Sequence, residues 1–233
     1  MRLLPLRAFP APPMHAVIVA NAPTFRAAPF RDLLARADLV IAADGGGNAL
    51  FAAGITPNLV IGDLDSLTAE AAEAFAAAGA TFLRYPIEKN ETDLELALLA
   101  AAARQADRID VLGAIGGRWD QGLSNVALLA LPELAGRRVR LLDVDQEAYL
   151  ARGETLINGA VGDTISLLPL GGPARGVTTR GLYYALEDEE LRFERSRGIS
   201  NVIAQTPAAV LVREGMLLVV RVWRREADQI WSR

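Results

Sequence analysis

The sequence predicts an α/β fold in which a doubly wound parallel sheet domain is followed by an antiparallel β-sandwich or barrel. Up to about residue 144, short apolar runs alternate with longer helical stretches, which is typical of a parallel sheet covered by helices. Beyond residue 144, short segments with alternating polarity end at glycine turns, which is typical of antiparallel strands. The composition, with 52% hydrophobic and 22% charged residues, is that of a globular protein. We therefore expect two domains, residues 14–144 and residues 145–233.

Six apolar runs are the predicted strands of the first domain. They are apolar along their whole length, which favours strands that are covered on both faces. The runs are 15–20, 38–44, 58–63, 80–85, 109–114 and 138–143. Five stretches between or after them are predicted crossover helices, at 30–36, 48–53, 68–78, 92–105 and 124–134.

Eight segments are the predicted strands of the second domain. They are 154–158, 163–170, 176–180, 182–187, 190–194, 201–205, 208–214 and 215–223. No stretch of useful helical length remains among them, so this half is expected to be all-β.

The composition excludes several kinds of site and partner. The sequence has no cysteine, which excludes disulfides and thiolate metal sites, and its single histidine, His15, argues against a Ser-His-Asp triad. Because 24 Lys and Arg stand against 28 Asp and Glu, the formal net charge is −4, and nucleic acid is not an expected partner. A metal ion would have to be held mainly by oxygen.

The N-terminal segment does not match a targeting signal. Its apolar run is interrupted by Pro5 and Pro10, and we interpret residues 1–13 as an extension or an upstream start, with the folded part beginning at Met14. No apolar stretch has the length that a membrane-spanning helix requires. We expect a cytoplasmic protein without a membrane partner.

Polar and glycine-rich segments follow four of the predicted strands. The carboxyl ends of parallel strands share one edge of a sheet, which is where ligands of open α/β sheets bind. The segments are ADGGGN (43–48), GDLDS (62–66), NETD (90–93) and GAIGGRWDQ (113–121). Each of them brings an acid to this edge.

Each segment also has a purely structural explanation. Asp65 or Ser66 could cap a helix that begins near Thr68, and Asn90 could cap a helix that carries Asp93 in its first turn. GGGN lacks the spacing of known phosphate-binding motifs and could be a tight strand-to-helix turn. These explanations suffice for single segments, but they do not explain why several acids gather at one edge.

The gathered acids point to a bound cation. Asp44, Asp63, Asp65 and Asp93 would repel one another unless a cation compensates their charge. Carboxylates without His or Cys select Mg²⁺, which carboxylates and substrate phosphates typically share. Arg118, which follows two glycines, is suited to phosphate oxygens. The sequence therefore predicts a site for Mg²⁺ and a nucleoside triphosphate.

Five segments, ADGGGN, GDLDS, ETD, GAIGGRWDQ and RGISN, resemble in order the motifs of the thiamine pyrophosphokinase family. The resemblance extends over nearly the whole chain. It implies a Rossmann-like first domain, a C-terminal β-sandwich that binds thiamine and forms the dimer, and a homodimer with thiamine held between the first domain of one subunit and the second domain of the other. It also implies the transfer of pyrophosphate from ATP to thiamine with Mg²⁺, which gives thiamine diphosphate and AMP.

The resemblance carries roles over to individual residues. The implied ATP-binding residues are Asp44, Asn48, Gly62, Ser66, Thr92, Gly116, Gly117, Arg118 and Asp120. The implied thiamine-binding residues are Tyr184, Ser200, Asn201 and Trp119. The metal is assigned to Asp63, Asp65 and Asp93, and the catalytic roles to Asp65, Asp93 and Arg118.

The chemistry of the reaction refines three of these roles. Asp93 is expected to accept the proton of the thiamine hydroxyl, because it lies at a helix start that faces the site. Trp119 or Tyr184 is expected to pack on the cationic rings of thiamine. Tyr183 replaces Tyr184 if the strand register shifts by one residue.

At three positions the sequence departs from many relatives. Asn90 stands in place of an acid, Gln121 in place of a histidine and Val202 in place of a glutamate. Gln121 keeps the hydrogen bonding of histidine but cannot act as a titrating base. Three alternatives remain open: a pyrophosphokinase for another hydroxymethyl heterocycle such as a pterin, a non-catalytic nucleotide-binding regulatory module and a metal-dependent phosphohydrolase.

Overall fold

The computed structural model describes residues 13–224, so residues 1–12 of the predicted N-terminal extension lie outside the described residues. The strands are β1 (His15–Val19), β2 (Leu39–Ala43), β3 (Leu59–Gly62), β4 (Thr81–Arg84), β5 (Arg108–Leu112), β6 (Arg138–Leu142), β7 (Gln146–Ile157), β8 (Thr164–Pro169), β9 (Ala174–Arg180), β10 (Glu189–Leu191), β11 (Asn201–Val202) and β12 (Ala208–Val222). The helices are α1 (Arg31–Ala35), α2 (Gly46–Ala52), α3 (Ala69–Ala77), α4 (Asp93–Ala103) and α5 (Trp119–Leu128). Within this described part, no helix combines the length and the apolar character needed to cross a membrane.

The first six strands form a parallel sheet in the order β6-β5-β1-β2-β3-β4. Each strand begins and ends within two residues of its predicted run. Successive residues of a strand pack on opposite faces: Ile18 and Ile41 join the core that includes α4, whereas Val17 and Val40 join the core that includes α2 and α3. The predicted doubly wound α/β fold is therefore confirmed.

The fifth helix begins earlier than predicted. It was expected over residues 124–134, but α5 runs Trp119–Leu128 and a separate 3₁₀ turn covers Pro132–Leu134. Gly116 and Gly117 both have positive φ angles and turn the chain, so the helix starts directly after Arg118 although Gly122 lies inside it. Trp119 and the two polar residues after it consequently lie in the first helical turn.

The antiparallel half continues the same sheet. β7 pairs with β6, and the 15-residue strand β12 pairs with β7 on one side and with β8 and β9 on the other. These strands enclose a separate hydrophobic core, which agrees with the predicted β-sandwich. The predicted boundary at residues 144–145 falls in the short connection between β6 and β7, and its status as a domain boundary stays a prediction.

Several strand predictions in this half are wrong. The strand predicted over 154–158 is only the end of β7, which begins eight residues earlier, at Gln146. Residues 182–187 form bends with a single bridge from Leu182 to Ile203, because Gly181 has a φ of 73° and turns the chain out of β9. Segments 208–214 and 215–223 belong to one strand, because Gly215 introduces an irregularity into β12 rather than a turn.

A chain of buried ion pairs links the two halves across four neighbouring strands. Asp110 on β5 is fully buried and accepts a 2.6 Å hydrogen bond from Arg140 on β6, which also contacts Glu147 on β7 at 2.5 Å. Arg221 on β12 contacts Glu147 at 3.1 Å and Asp163 at 2.9 Å. Because each acid is at least 95% buried at its side chain, the charges depend on one another for compensation.

The single histidine belongs to this network. His15 Nε2 lies 2.9 Å from Asp110 Oδ2, and Arg108 contacts the same oxygen at 2.7 Å. His15 is therefore a partner of a buried carboxylate in the ion-pair network.

Candidate active site

Three of the four predicted acids meet at the carboxyl edge of the parallel strands. Asp44 follows β2, Asp63 follows β3 and Asp93 is the first residue of α4. Each offers a carboxylate oxygen within 4.8 Å of the other two, the one such group of three or more potential metal-ligating side chains in residues 13–224. Asp65 lies outside this group: it is exposed, and its carboxylate accepts a 3.0 Å hydrogen bond from Ser66 Oγ. The carboxylate cluster in the structure therefore contains Asp44, which was expected to order the nucleotide, and not Asp65.

The backbone at the end of β3 allows the three acids to approach. Gly62 has a φ of 142°, and a Cβ atom at this position would lie 2.8 Å from Asp93 Oδ1 and 3.1 Å from Asp44 Cβ. Asp44 itself has a φ of 43°, which is uncommon outside glycine, and its N–H donates to Ile61 O at 2.9 Å. The cluster therefore requires glycine at position 62.

The oxygens of this cluster fit a divalent cation. Asp44 is 5% exposed, and its Oδ1 atom is buried without a hydrogen-bond partner among the described residues. Burying an unpaired carboxylate oxygen is costly, and a cation between the carboxylates offsets that cost. A set of carboxylate oxygens without nitrogen or sulfur suits Mg²⁺. Asp44, Asp63 and Asp93 are the residues that would hold it.

Lys89 lies among the three acids, although the sequence had not marked it as a site residue. Its Nζ atom is 3.0 Å from Asp63 Oδ2 and 3.1 Å from Asp93 Oδ1, and its side chain is only 10% exposed. The hydrogen bond from Lys89 lowers the pKa of Asp63, whereas burial raises the pKa of Asp93 in spite of the Lys89 contact. For Lys89 itself, burial acts to lower the pKa, but its contacts with Asp63 and Asp93 prevail and raise it.

The amino-acid count contains a signal for this residue. Lys89 is the one lysine of the sequence, against 23 arginines. An ammonium group is compact and sits on a flexible stem, whereas a guanidinium is a wide planar fork, so the two are not interchangeable between closely spaced carboxylates. A single lysine in an arginine-rich sequence, four residues before Asp93, therefore indicates a position that needs a compact ammonium group rather than a guanidinium.

Asn48 ties α2 to the loop that carries Asp63. Its Nδ2 donates to Ser66 O at 2.8 Å, and its Oδ1 accepts from the Thr68 N–H at 3.0 Å. Both polar atoms of the side chain are therefore engaged by backbone. Asn48 and Ser66, both predicted to bind ATP, are therefore neighbours in the structure. Asn48 positions the loop between β3 and α3.

Threonines cap the two helices that follow the acidic loops. Thr68 precedes α3 and Thr92 precedes α4, and each side chain accepts a hydrogen bond from a backbone N–H in the first turn. The capping explanations for Asp65, Ser66 and Asn90 are therefore wrong, because the caps lie two or three residues further along the chain. Thr92, expected to bind ATP, uses its hydroxyl as the cap that sets Asp93 at the start of α4.

The glycine-rich segment after β5 ends in an exposed ion pair. Arg118 contacts Asp120 at 2.5 Å, and their side chains are 70% and 65% exposed. The hydrogen bond from Arg118 lowers the pKa of Asp120 to about 2. Trp119 between them is 85% exposed. An exposed pair of this kind contributes little to stability, so Arg118 can exchange Asp120 for a phosphate oxygen at little cost.

A cavity lies beside the start of α2. Its volume is ≈ 290 Å³, and Asn21, Arg26, Gly45 and Asn48 contribute to its lining. Asn48, which also bonds to the loop that carries Asp63, is part of the wall of this cavity. The strand-to-helix turn predicted for GGGN is confirmed, since α2 begins at Gly46.

Tyr183 and Tyr184 form an exposed aromatic pair in the antiparallel half. Their ring centroids are 4.9 Å apart with nearly perpendicular planes, and the residues are 69% and 63% exposed. Asn201 accepts a hydrogen bond from the Tyr184 N–H at 2.9 Å and donates one to Tyr184 O at 2.7 Å. Ser200 next to it is exposed and has a φ of 59°. The structure therefore groups Tyr184, Ser200 and Asn201, and Asn201 holds the Tyr184 backbone.

The three positions that were expected to depart from the family pattern lie near these elements. Asn90 is exposed in the loop before α4, and Gln121 is exposed in the first turn of α5. Val202 is partly buried on β11. None of them supplies a carboxylate to the cluster of Asp44, Asp63 and Asp93.

Comparison with family sequence models matches both halves of the chain. Residues 30–141 match the thiamin pyrophosphokinase catalytic domain, and residues 154–217 match the thiamin pyrophosphokinase vitamin B1 binding domain. A thiamine pyrophosphokinase of Bacillus subtilis is 30% identical over 185 residues, which cover 78% of this chain and 86% of the relative. Thiamine pyrophosphokinase 1 of Oryza sativa subsp. japonica is 27% identical over 235 residues, which cover 87% of this chain and 88% of the relative.

Solved structures match as well. The crystal structure of thiamine pyrophosphokinase from Bacillus subtilis superposes with a TM-score of 0.80 at 27% identity, covering 91% of this chain and all (100%) of that one. Thiamin pyrophosphokinase from Candida albicans superposes with a TM-score of 0.78 at 17% identity, covering 90% of this chain and 89% of that one, and shows the same fold.

Proposed function

Because the chain belongs to the thiamin pyrophosphokinase family, we propose that it transfers the pyrophosphoryl group of ATP to the hydroxyl oxygen of thiamine, with Mg²⁺, and forms thiamine diphosphate and AMP. Family membership confirms the resemblance carried by the five motifs. The reaction, its metal and its site residues are the proposal.

The carboxylate cluster is the observation that carries this proposal. Asp44, Asp63 and Asp93 meet at the edge of a parallel sheet, and Asp44 Oδ1 is buried without a hydrogen-bond partner in the described part of the chain. Carboxylates in this arrangement suit a cation that is shared with phosphate oxygens. Bound Mg²⁺ would supply positive charge to the polyphosphate during transfer.

The residues around the cluster would position the nucleotide. Asn48 holds the loop after β3, and the cavity beside α2 offers room for part of the nucleotide. Arg118 would bind phosphate oxygens after it leaves Asp120, and its charge would stabilise the negative charge that develops at the transferred group. Thr92 and Ser66 would contribute to nucleotide binding indirectly, by shaping the loops that precede α4 and follow β3.

The reaction requires an acceptor for the proton of the thiamine hydroxyl. The thiamine hydroxyl oxygen forms a bond to the β-phosphorus of ATP, and the bond from that phosphorus to the bridging oxygen of AMP breaks. Asp93 is the proposed acceptor of the hydroxyl proton, because it is the first residue of α4 and its carboxylate lies in the cluster at the edge of the sheet.

Thiamine is proposed to lie between subunits of a homodimer. Tyr184, positioned by Asn201, would pack on its cationic rings with Ser200 beside it, and Trp119 would approach from the first domain of the partner subunit. Exposed apolar side chains occur in both halves, at Trp119 and Leu123 in the first and at Tyr184 and Phe193 in the second. The predicted cytoplasmic location stays a prediction.

The proposal is tested by following AMP with ATP, Mg²⁺ and thiamine as substrates. Asp93→Asn is expected to reduce turnover by at least about 100-fold, since it removes a metal ligand and the proton acceptor. The matched control is Asp32→Asn, an exposed acid on α1, which is expected to keep wild-type turnover.

Acceptor screening completes the test. A hydroxymethyl pterin offered in place of thiamine is expected to yield no AMP. AMP formed with the pterin but not with thiamine, or wild-type turnover by folded Asp93→Asn, would overturn the proposal.

A further inference from the structure

We propose that Lys89 is a built-in counter-ion that competes with the divalent cation for Asp63 and Asp93 and has to withdraw from them before the cation binds. This inference rests on the metal site of the proposed function. It concerns a residue of the chain and its exchange with the ion, not the transfer reaction.

The contacts of Lys89 overlap with the metal set. Its Nζ atom contacts Asp63 Oδ2 and Asp93 Oδ1 at 3.0 and 3.1 Å, and these two acids are two of the three members of the carboxylate cluster. Mg²⁺ binds oxygen at about 2.0–2.1 Å, so an ion on these carboxylates would stand within a few ångströms of the ammonium. Two cations that close in a partly buried site repel each other strongly. Lys89 and the ion therefore exclude each other from these oxygens.

The position of Lys89 suits a group that moves away. It lies in the loop between β4 and α4, four residues before Asp93, and reaches the carboxylates through its unbranched stem. The stem has four carbons with free rotation, so the ammonium can leave without a change of the backbone. An arginine here would hold two carboxylates through a rigid fork and would be harder to displace.

Lys89 compensates the cluster only in part. Three carboxylates and one ammonium leave a formal charge of −2, counted as −3 plus 1. Asp44 takes no part in the Lys89 contacts, and its Oδ1 has no hydrogen-bond partner within residues 13–224. The cluster consequently still attracts a divalent ion, and Lys89 lowers its affinity rather than blocking it.

This arrangement couples the ion to the nucleotide. A divalent ion that arrives alone has to displace an ammonium that loses two carboxylate partners. An ion that arrives with a polyphosphate brings anionic oxygens to the same edge, and these can compensate the displaced ammonium. We therefore expect the ion to bind more tightly together with ATP than alone, and Lys89 to account for part of the difference.

The single lysine gives the wild-type protein its own probe. Lysine labelled with ¹³C and ¹⁵N at the end of its side chain reports on Lys89 alone, because the sequence has no second lysine. Titration with MgCl₂ in the absence of nucleotide is expected to shift this NMR signal in a saturable way, whereas NaCl at equal ionic strength leaves it unchanged. An unchanged signal at Mg²⁺ concentrations that saturate the site by calorimetry would overturn the proposal.

A pair of variants tests the competition directly. Calorimetry with MnCl₂ is expected to show at least about tenfold tighter binding to Lys89→Gln than to the wild type, since a hydrogen bond to a charged group is worth a decade or more in affinity. Lys89→Arg keeps the charge and is expected to bind the ion no more tightly than the wild type. Equal or weaker binding by Lys89→Gln contradicts the proposal.

Thermal unfolding covers the case in which Lys89→Gln is unstable without the ion. The variant is expected to have a lower Tm than the wild type in chelator and a larger gain in Tm on addition of Mg²⁺. An equal gain contradicts the competition. These readouts are independent of turnover, so a wild-type protein that forms no AMP would defeat the proposed function while leaving the test of Lys89 intact.

Discussion

Gly62 and Asp93 approach so closely that a Cβ atom at position 62 would lie 2.8 Å from Asp93 Oδ1. Gly62 ends β3 and Asp93 begins α4, so this contact joins the sheet edge to the helix that carries one acid of the cluster. A side chain at position 62 would therefore meet the Asp93 carboxylate of the cluster.

Gly62→Ala is expected to displace Asp93 and to weaken binding of the divalent ion. The φ of 142° at this position adds backbone strain of roughly 1–3 kcal/mol to the steric conflict. Gly79→Ala is the matched control, because Gly79 also has a positive φ of 87° but its Cβ would meet nothing within 4 Å. Calorimetric titration with Mn²⁺ should separate the two variants; similar ion affinities for both would show that the contact with Asp93 is unimportant.

Asp44→Asn and Asp65→Asn distinguish the observed acid cluster from the predicted one. Asp44 belongs to the group of three carboxylates and Asp65 does not, so Asp44→Asn is expected to lose more ion affinity. Removing a residue that only supports a metal ligand typically lowers metal affinity roughly 10- to 100-fold. We expect Asp44→Asn to lose more affinity than this and Asp65→Asn to lose less. Binding is measured with Mn²⁺ in the absence of nucleotide. The reverse order would restore Asp65 as a metal ligand.

These two acids show where sequence reasoning succeeds and where it ends. Strand positions follow from apolar runs, because burial on both faces leaves a strong pattern, and strand ends then place Asp44, Asp63 and Asp93 at one edge. Which carboxylate turns inward depends on loop torsions, such as the φ of 66° at Leu64 between Asp63 and Asp65, and the sequence does not contain these in readable form. Residues that act through side-chain ties to the backbone, such as Asn48 and Asn201, are likewise predicted as neighbours of the site but not in their roles.

The misplaced elements have local causes. The first turn of α5 and the bends at 182–187 both depend on glycines with positive φ, which can either end a segment or redirect it into a new one. Gly215 lies inside one strand although it resembles a turn in the sequence. Lys89 belongs to none of the motifs, and the one indication of it in the sequence is that it is the single lysine among the basic residues.

The buried ion pairs predict a large loss of stability when one partner is removed. Arg140→Met removes the cation shared by Asp110 and Glu147 and leaves these buried carboxylates to Arg108 and Arg221, and we expect a loss of up to about 3–5 kcal/mol in the free energy of unfolding. Arg180→Met removes an exposed pair with Glu154 and should cost below about 1 kcal/mol. Urea denaturation at neutral pH measures both losses. Equal losses would mean that the buried ion pairs stabilise the protein no more than an exposed ion pair does.

Asp110 also predicts a pH dependence. Burial alone would raise the pKa of Asp110, but the hydrogen bonds and charges of Arg140 and Arg108 prevail and lower it. A carboxyl with a lowered pKa in the folded protein contributes stability above its unfolded value, about 3.9, and loses it as the pH falls through the folded value. We therefore expect the Tm of the wild type to decline more steeply below about pH 4 than that of Asp110→Asn. Parallel declines would exclude Asp110 as a source of the acid sensitivity.

Sites shared between subunits predict complementation between inactive variants. In a homodimer whose sites each combine the first domain of one subunit with the second domain of the other, a heterodimer of Asp93→Asn and Tyr184→Ala carries both changes in one site and none in the other. Random pairing on co-expression should then restore about a quarter of wild-type AMP formation, because half of the dimers are mixed and each mixed dimer has one intact site. Co-expression of Asp93→Asn with Asp44→Asn is the control, since both changes lie in the first domain and each site of the mixed dimer keeps one of them. No recovery in the test pair would place the whole site within one chain, because only a site divided between two subunits leaves one site of the mixed dimer intact. Recovery in the control would mean that Asp93 and Asp44 do not belong to the same site.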